Sequence, residues 1–242
     1  MNSFVWADLS TYDPEKSKRF YETVFGWQFH DDQGYSVAMN GRREFTGLFE
    51  TPEFFQKIKM PHFWMSYIAV KDALNTAEIA SGIQNAKVER TTEFYGGQIA
   101  LIRDPQGAGF TIYDGGKLNS RASERRRVEH GDFIWNELHV SDATEVIPFY
   151  ERLFDWKITA GANSSGWVIH DSMNKHIADL HEIPNEIKGK YEYWVCTFAV
   201  KDLAETRQKI EQSGGGCFLD EGHRIMMHDD SGEAFFYIQA LN

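Results

Sequence analysis

The segment FYETVFGW, Phe20 to Trp27, returns later in the chain as FYERLFDW, Phe149 to Trp156. Its flanks return with it. FVWADLSTYD and FIWNELHVSD place Trp6 and Trp135, and then Asp13 and Asp142, at equal offsets. Further on, IAVKD ending at Asp72 is matched by FAVKD ending at Asp202, and the turn DPQG ending at Gly107 by DDSG ending at Gly232. Landmarks that recur in one order at near-constant spacing mark a duplicated unit, since a bias in composition would not preserve order. The 242 residues therefore read as two homologous domains, 1–115 and 132–242, with 116–131 as a linker.

Each half divides again. Val5, Ala7 and Leu9 alternate with Trp6, Asp8 and Ser10, the period of a half-buried strand. Asp13 followed by Pro14 is a helix start, because the carboxylate caps orphan N–H groups and proline suits the first turn. Phe20, Tyr21, Val24 and Phe25 then fall at helical spacing, so the repeated phrase is the buried face of a helix. That helix should end at Gly26 or Asp155, with a strand starting at Trp27 or Trp156. Asn40-Gly41 is a hairpin signal. The later segments begin with strands around Trp64–Val70 and Trp194–Val200, followed by helices from Asp72 and Asp202. Asp202 with Glu205 forms a capping box, and Gly214 is a stop. The strands QIALIRD and GFTIYD, and RIMMHD and AFFYIQA, are joined by the DPQG and DDSG turns. Pro148 breaks the pattern by removing a backbone donor, so the second long helix should kink there or begin near it. The fold class expected is α+β, four modules of strand, helix and three strands.

Composition narrows the functional classes. No apolar run approaches the roughly 20 residues that span a bilayer, and no basic-then-apolar leader opens the chain. Cys196 and Cys217 are too few for a disulfide framework, which points to a reducing cytoplasm. A net charge of -11 argues against broad affinity for nucleic acid. The basic run RASERRRVEH, Arg121 to His130, lacks interleaved aromatics and reads as part of a solvated linker.

Four βαβββ modules, a helix ending in FYxxxFGW and a DPxG turn before an aromatic-rich last strand resemble the vicinal oxygen chelate superfamily. That group includes glyoxalase I, extradiol dioxygenases and bleomycin-resistance proteins. The openings WADLSTYD and WNELHVSD are most similar to a bacterial subgroup of tandem glyoxalase-like proteins. The resemblance covers nearly the whole chain outside the linker. It implies curved mixed sheets forming cups with helices outside, and metal ligands, His or Glu, from the first and last strands of paired modules. Here those positions hold Trp6, Met65, Trp135 and Val195, and Gly47, Thr111, Asp179 and Phe236. Only Asp179 is a good donor, and one carboxylate does not make a site. Neither a metal centre nor another cofactor is therefore expected.

Strand alternation puts Trp135, Glu137 and His139 on one face, and Leu138 and Val140 on the other. In HIADLHEIP it sends Ala178 and Leu180 to the helix side, and Asp179 and His181 to the cup. The first half offers only Asp8 and Ser10, with Gly47 and Phe49. The candidate catalytic set is Glu137, His139, Asp179 and His181, and the candidate ligand contacts are Trp6, Asp8 and Trp135. The acids and imidazoles could exchange protons with a substrate, or simply satisfy one another's hydrogen bonds. A displaced metal site on His139, Asp179 and His181 is a third option. His30, His62, His130, His170, His176, His223 and His228 read as solvated, and Cys217 as a structural thiol.

Two functions follow. One is a metal-independent, resistance-protein-like handler of a small aromatic or cationic molecule. The other is a lyase, isomerase or hydroxylase-like enzyme using the second domain's acid/His group, with or without a metal. The partners expected are a small molecule and neither nucleic acid nor membrane, with a homodimer left open.

Overall fold

The computed structural model describes residues 2–41, 43–118, 128–161 and 166–241. The basic run at 121–127, the heart of the expected linker, lies outside the described residues. Module one comprises β1 (Ser3–Thr11), α1 (Pro14–Phe25), β2 (Gln28–Asp32), β3 (Tyr35–Asn40) and β4 (Arg43–Glu50). A short helix, α2 (Glu53–Lys57), leads to module two: β5 (Phe63–Ala69), α3 (Ala73–Ser81), β6 (Lys87–Phe94), β7 (Gly97–Arg103) and β8 (Gly109–Tyr113). Module three comprises β9 (Phe133–Val140), α4 (Ala143–Phe154), β10 (Lys157–Ala160), β11 (Trp167–His170) and β12 (His176–Glu182). After α5 (Asn185–Lys188), module four comprises β13 (Tyr193–Val200), α6 (Leu203–Gln212), β14 (Gly216–Asp220), β15 (Arg224–His228) and β16 (Phe235–Ala240). The fold is α+β, built from four βαβββ modules. In every module the first strand pairs in parallel with the fourth, and the third and second follow antiparallel. Among the described residues no helix is long and apolar enough to cross a membrane.

The helix signals act as the sequence implies. The side chains of Asp13, Asp72, Asp142 and Asp202 each accept a backbone N–H of the first turn, at 2.8 or 2.9 Å. α1 and α4 end on left-handed residues, Gly26 at φ 73° and Asp155 at φ 54°. The next strands start one residue beyond Trp27 and Trp156, because each indole turns back to stack on Tyr21 or Tyr150. Pro148 lies inside α4, whose cap is Asp142, so the helix does not begin at the proline. Proline there leaves the Thr144 carbonyl without its helical donor.

The modules pack as two units, and these are not the sequence halves. A central unit groups modules two and three, and a terminal unit groups modules one and four. Each has its own core. In the central unit Ile68, Phe110, Ile112, Leu138, Phe149 and Phe154 pack together. In the terminal unit Leu9, Phe25, Phe45, Phe198 and Phe236 do so.

The repeated phrase explains the pairing. The Tyr21 hydroxyl donates to Asp229 of the DDSG turn at 3.2 Å and accepts from Trp64 Nε1 at 3.1 Å. The Tyr150 hydroxyl donates to Asp104 of the DPQG turn at 3.0 Å and accepts from Trp194 Nε1 at 2.9 Å. Each phrase thus binds its helix to a turn from the other half of the sequence. Asp104 Oδ1 also accepts the N–H groups of Gln106, Gly107 and Ala108, which shapes the turn. These groups are buried, so every member needs its partner.

Burial pushes the Asp104 carboxyl up to about 6 against its hydrogen bonds, and raises Asp229 in the same direction. A carboxyl raised in the folded state contributes stability that is fully present below its unfolded pKa and is lost as pH rises through the folded one. For Asp104 that window runs from about pH 4 to about pH 6 and amounts to about 3 kcal/mol. Urea unfolding across that window should therefore show a steeper loss of stability in wild type than in Asp104→Asn. Tyr150→Phe, which leaves Asp104 Oδ2 and Trp194 Nε1 without their partner, should cost roughly 1–3 kcal/mol in the same assay.

Candidate functional site

In the central unit β9 and β12 run in parallel with Glu137 opposite Asp179 and His139 opposite His181. Leu138, Val140, Ala178 and Leu180 enter the core beneath the helices, which leaves the four polar side chains on the opposite face. Glu137 is fully buried, with Oε2 3.5 Å from His139 Nε2 and 3.6 Å from His181 Nε2. A buried carboxylate is tolerated when donors or cations face it, and two imidazoles do so here. His139 is buried against the Tyr193 ring, with centroids 5.4 Å apart. The His181 side chain keeps 26% of its surface exposed, so it is the member of this trio that meets solvent.

Asp179 belongs to a different group. Its Oδ2 accepts from Trp135 Nε1 at 2.8 Å, and its Oδ1 lies 2.8 Å from His176 Nε2. The candidates therefore separate into Glu137 with His139 and His181, and Asp179 with Trp135 and His176. The displaced metal set of His139, Asp179 and His181 is not assembled, because both oxygens of Asp179 are already committed.

Sequence reasoning passed over His176. Simple alternation sends residue 176 to the helix side with 178 and 180. The register, however, slips: His170 pairs with His176 and Ile169 with Ala178, leaving Ile177 as an extra residue. Such a bulge re-aims the neighbouring side chain. The available signal was two histidines bracketing the hairpin loop, which does not reveal a bulge.

The terminal unit treats the same positions differently. Asp8 lies opposite Gly47, and Ser10 opposite Phe49. The Tyr35 ring lies over Gly47, where an added Cβ would come within 2.2 Å of its hydroxyl. That hydroxyl accepts from Trp6 Nε1 at 2.8 Å and donates to Asp8 Oδ2 at 3.3 Å. Trp6, Asp8 and Ser10 are all buried. Trp6 and Asp8 were expected at a ligand, but they are engaged by this tyrosine. Extending the β11–β12 register by one residue beyond Trp167 puts Gly166 in the place of Tyr35. A Cβ there would lie 2.5 Å from His181 Nδ1. One duplicated face is filled by a tyrosine over a glycine, and the other keeps a glycine beside a histidine.

The family's metal positions do not fit a metal in this chain. The Trp135 indole is spent on Asp179, and Met65 and Val195 offer no strong donor. On β16 it is Tyr237, rather than the expected Phe236, that lies opposite Thr197; one residue of register turns Phe236 into the core. Among the described residues no group of three or more His, Cys, Asp or Glu is arranged to hold a metal ion.

The fold is that of the vicinal oxygen chelate proteins. Residues 3–112 match the sequence model of the Glyoxalase/Bleomycin resistance protein/Dioxygenase superfamily, and the whole chain is similar in fold to that superfamily's solved members. It is 26% identical to CFP32 of Mycobacterium tuberculosis, whose name provisionally calls it a glyoxylase, over 95% of this chain and 92% of that one. It is 24% identical to the anthracycline biosynthesis protein DauV of a Streptomyces species, over 97% and 92%. Among solved structures, the Mn(II)-bound glyoxalase of Novosphingobium aromaticivorans aligns with a TM-score of 0.63 at 12% identity, covering 99% of this chain and 82% of that one. An extradiol ring-cleaving dioxygenase from B. fuscum aligns at 0.62 and 13% identity, covering 100% and 72%. At such identities the structural likeness is one of fold.

Gly166→Ala tests the opening beside His181. The new methyl group should displace the imidazole and cost roughly 1–3 kcal/mol as an overpacked site does. Histidine NMR resonances should move at His181 and stay in place at His30, on β2, and at His223, just before β15.

Proposed function

We propose that the sheet face of the central unit binds a small organic molecule, aromatic or cationic in character, without a metal at the family's usual positions. The observation that carries this reading is the contrast between the duplicated faces. Glu137 and His139 are buried as Asp8 and Ser10 are, but Trp6 is sealed under Tyr35 whereas its counterpart Trp135 is partly exposed, and Asp179, His181 and His176 beside it keep 24%, 26% and 45% of their side-chain surface exposed. Trp135 and Tyr193 would provide flat apolar contacts, and Asp179 and Glu137 the negative charge that suits a cation. Relatives named for glyoxylase chemistry and for anthracycline biosynthesis support a small-molecule ligand. The free thiols Cys196 and Cys217 suit a reducing cytoplasm.

One observation favours a second reading, an enzyme of the lyase or isomerase kind. His181 Nε2 lies 3.6 Å from buried Glu137 while the ring reaches solvent. In that arrangement His181 accepts a proton from a bound substrate and returns it to another atom, while Glu137 stabilises the imidazolium formed in between.

Calorimetric screening of small aromatic and cationic compounds, with assays for turnover, separates the two. Glu137→Gln should weaken binding or abolish turnover while the protein stays folded, and Asp8→Asn should do less. Turnover lost with binding retained selects the enzyme; equal effects of the two substitutions would discard the asymmetry. Elemental analysis of protein prepared without chelator should find no stoichiometric zinc, nickel, iron or manganese. One tightly held ion per chain would sink the metal-independent reading.

A further inference from the structure

We propose that His170 and His176 form an exchangeable site for a borderline divalent cation, Zn2+, Ni2+ or Cu2+, at the end of the β11–β12 hairpin. It borders the proposed small-molecule face, sharing His176 and Asp179 with it, and of the family's metal positions it uses only Asp179, behind a ligand and not as one. Four observations converge on it.

The two histidines are cross-strand partners, and their ring centroids lie 5.7 Å apart. Imidazoles that share one ion through metal–nitrogen bonds of about 2.1 Å have ring centres roughly 5–6 Å apart. His170 Nδ1 is buried and has no hydrogen-bond partner, an unusual state for a ring nitrogen. His176 is oriented as metal-bound histidines are. Its Nε2 faces Asp179 Oδ1 at 2.8 Å, and the other oxygen of Asp179 is held by Trp135 Nε1 at 2.8 Å. With the proton on Nε2, Nδ1 keeps its lone pair for an ion, and a carboxylate behind the ring fixes its orientation. The bulge at Ile177 is what turns His176 to this side, and its 45% exposed side chain gives an ion a way in.

The donor set selects the ion. Two imidazoles suit Zn2+, Ni2+ and Cu2+, whereas Mg2+ and Ca2+ require oxygen ligands. Among the described residues no third protein ligand completes the set, so water fills the remaining positions. A site of this kind exchanges its ion, which leaves during purification, and so differs from a resident centre.

The test is titration calorimetry of Zn2+ and of Ni2+ into the chelator-treated full chain. One saturable site per chain is expected, absent in His176→Ala and in His170→Asn, and unaffected by excess Mg2+. Asp179→Asn should weaken it 10- to 100-fold, as loss of a carboxylate behind a ligating histidine does. His170 is partly buried, so thermal unfolding is measured for each variant. If His170→Asn fails to fold, the exposed His176→Ala decides alone. No saturable binding in wild type, or binding unchanged in His176→Ala, overturns the proposal. Binding that depends instead on His139 and His181 also overturns it. Loss of the metal signal with small-molecule binding intact would leave the proposed function standing, and the converse would leave this site standing.

Discussion

The structure depends on a buried hydrogen bond made twice, from a helix tyrosine to the aspartate of a turn far away in sequence. Tyr21 reaches Asp229 and Tyr150 reaches Asp104. The hydroxyl also takes an indole N–H from the first strand of module two or four, and Asp104 holds three backbone N–H groups of its turn, so helix, turn and that strand are bound at one point. A polar link of this kind is costly to break and specifies its partner, unlike the apolar faces around it, which would accept several neighbours. It joins module one to module four and module two to module three, across the boundary of the duplication.

Given that frame, the chemistry of each face follows from a few side chains. Duplication supplied the same strand order and register in modules one and three. In module one Gly47 admits the Tyr35 ring, and the tyrosine satisfies Trp6 and Asp8. In module three Asp179 stands where Gly47 does, and Gly166 where Tyr35 does, so the indole of Trp135 turns to a carboxylate and His181 is left room. Tyr35 over Gly47 makes one face a plug, and Gly166 with Asp179 in their places makes the other a cluster of ionisable groups. His139 and His181 both face a single carboxylate oxygen of the buried Glu137.

Much of this was legible in the chain. The four aspartate caps, the left-handed helix ends and the α+β module order follow from local chemistry, because capping, left-handed turns and strand alternation involve residues close in sequence. The placement of Glu137 and His139 above, and Leu138 below, follows from alternation alone. Pro148 does not mark the helix start, because the proline rule is local, whereas α4 is held on both sides of it by buried Val146, Phe149 and Tyr150.

What the amino-acid sequence determined by itself was thus the inventory: two copies, four modules, the helix starts, and which side chains a regular strand sends to each face. Tertiary structure alone decided how these combine. The pairing of modules rests on Tyr21, Tyr150 and aspartates far removed along the chain. The division of the polar residues into two groups rests on the Trp135 indole choosing Asp179, and the arrival of His176 on a one-residue bulge. Each is a long-range contact or a break in the strand period, and neither leaves a trace in local spacing, because alternation carries no information about register with a distant strand.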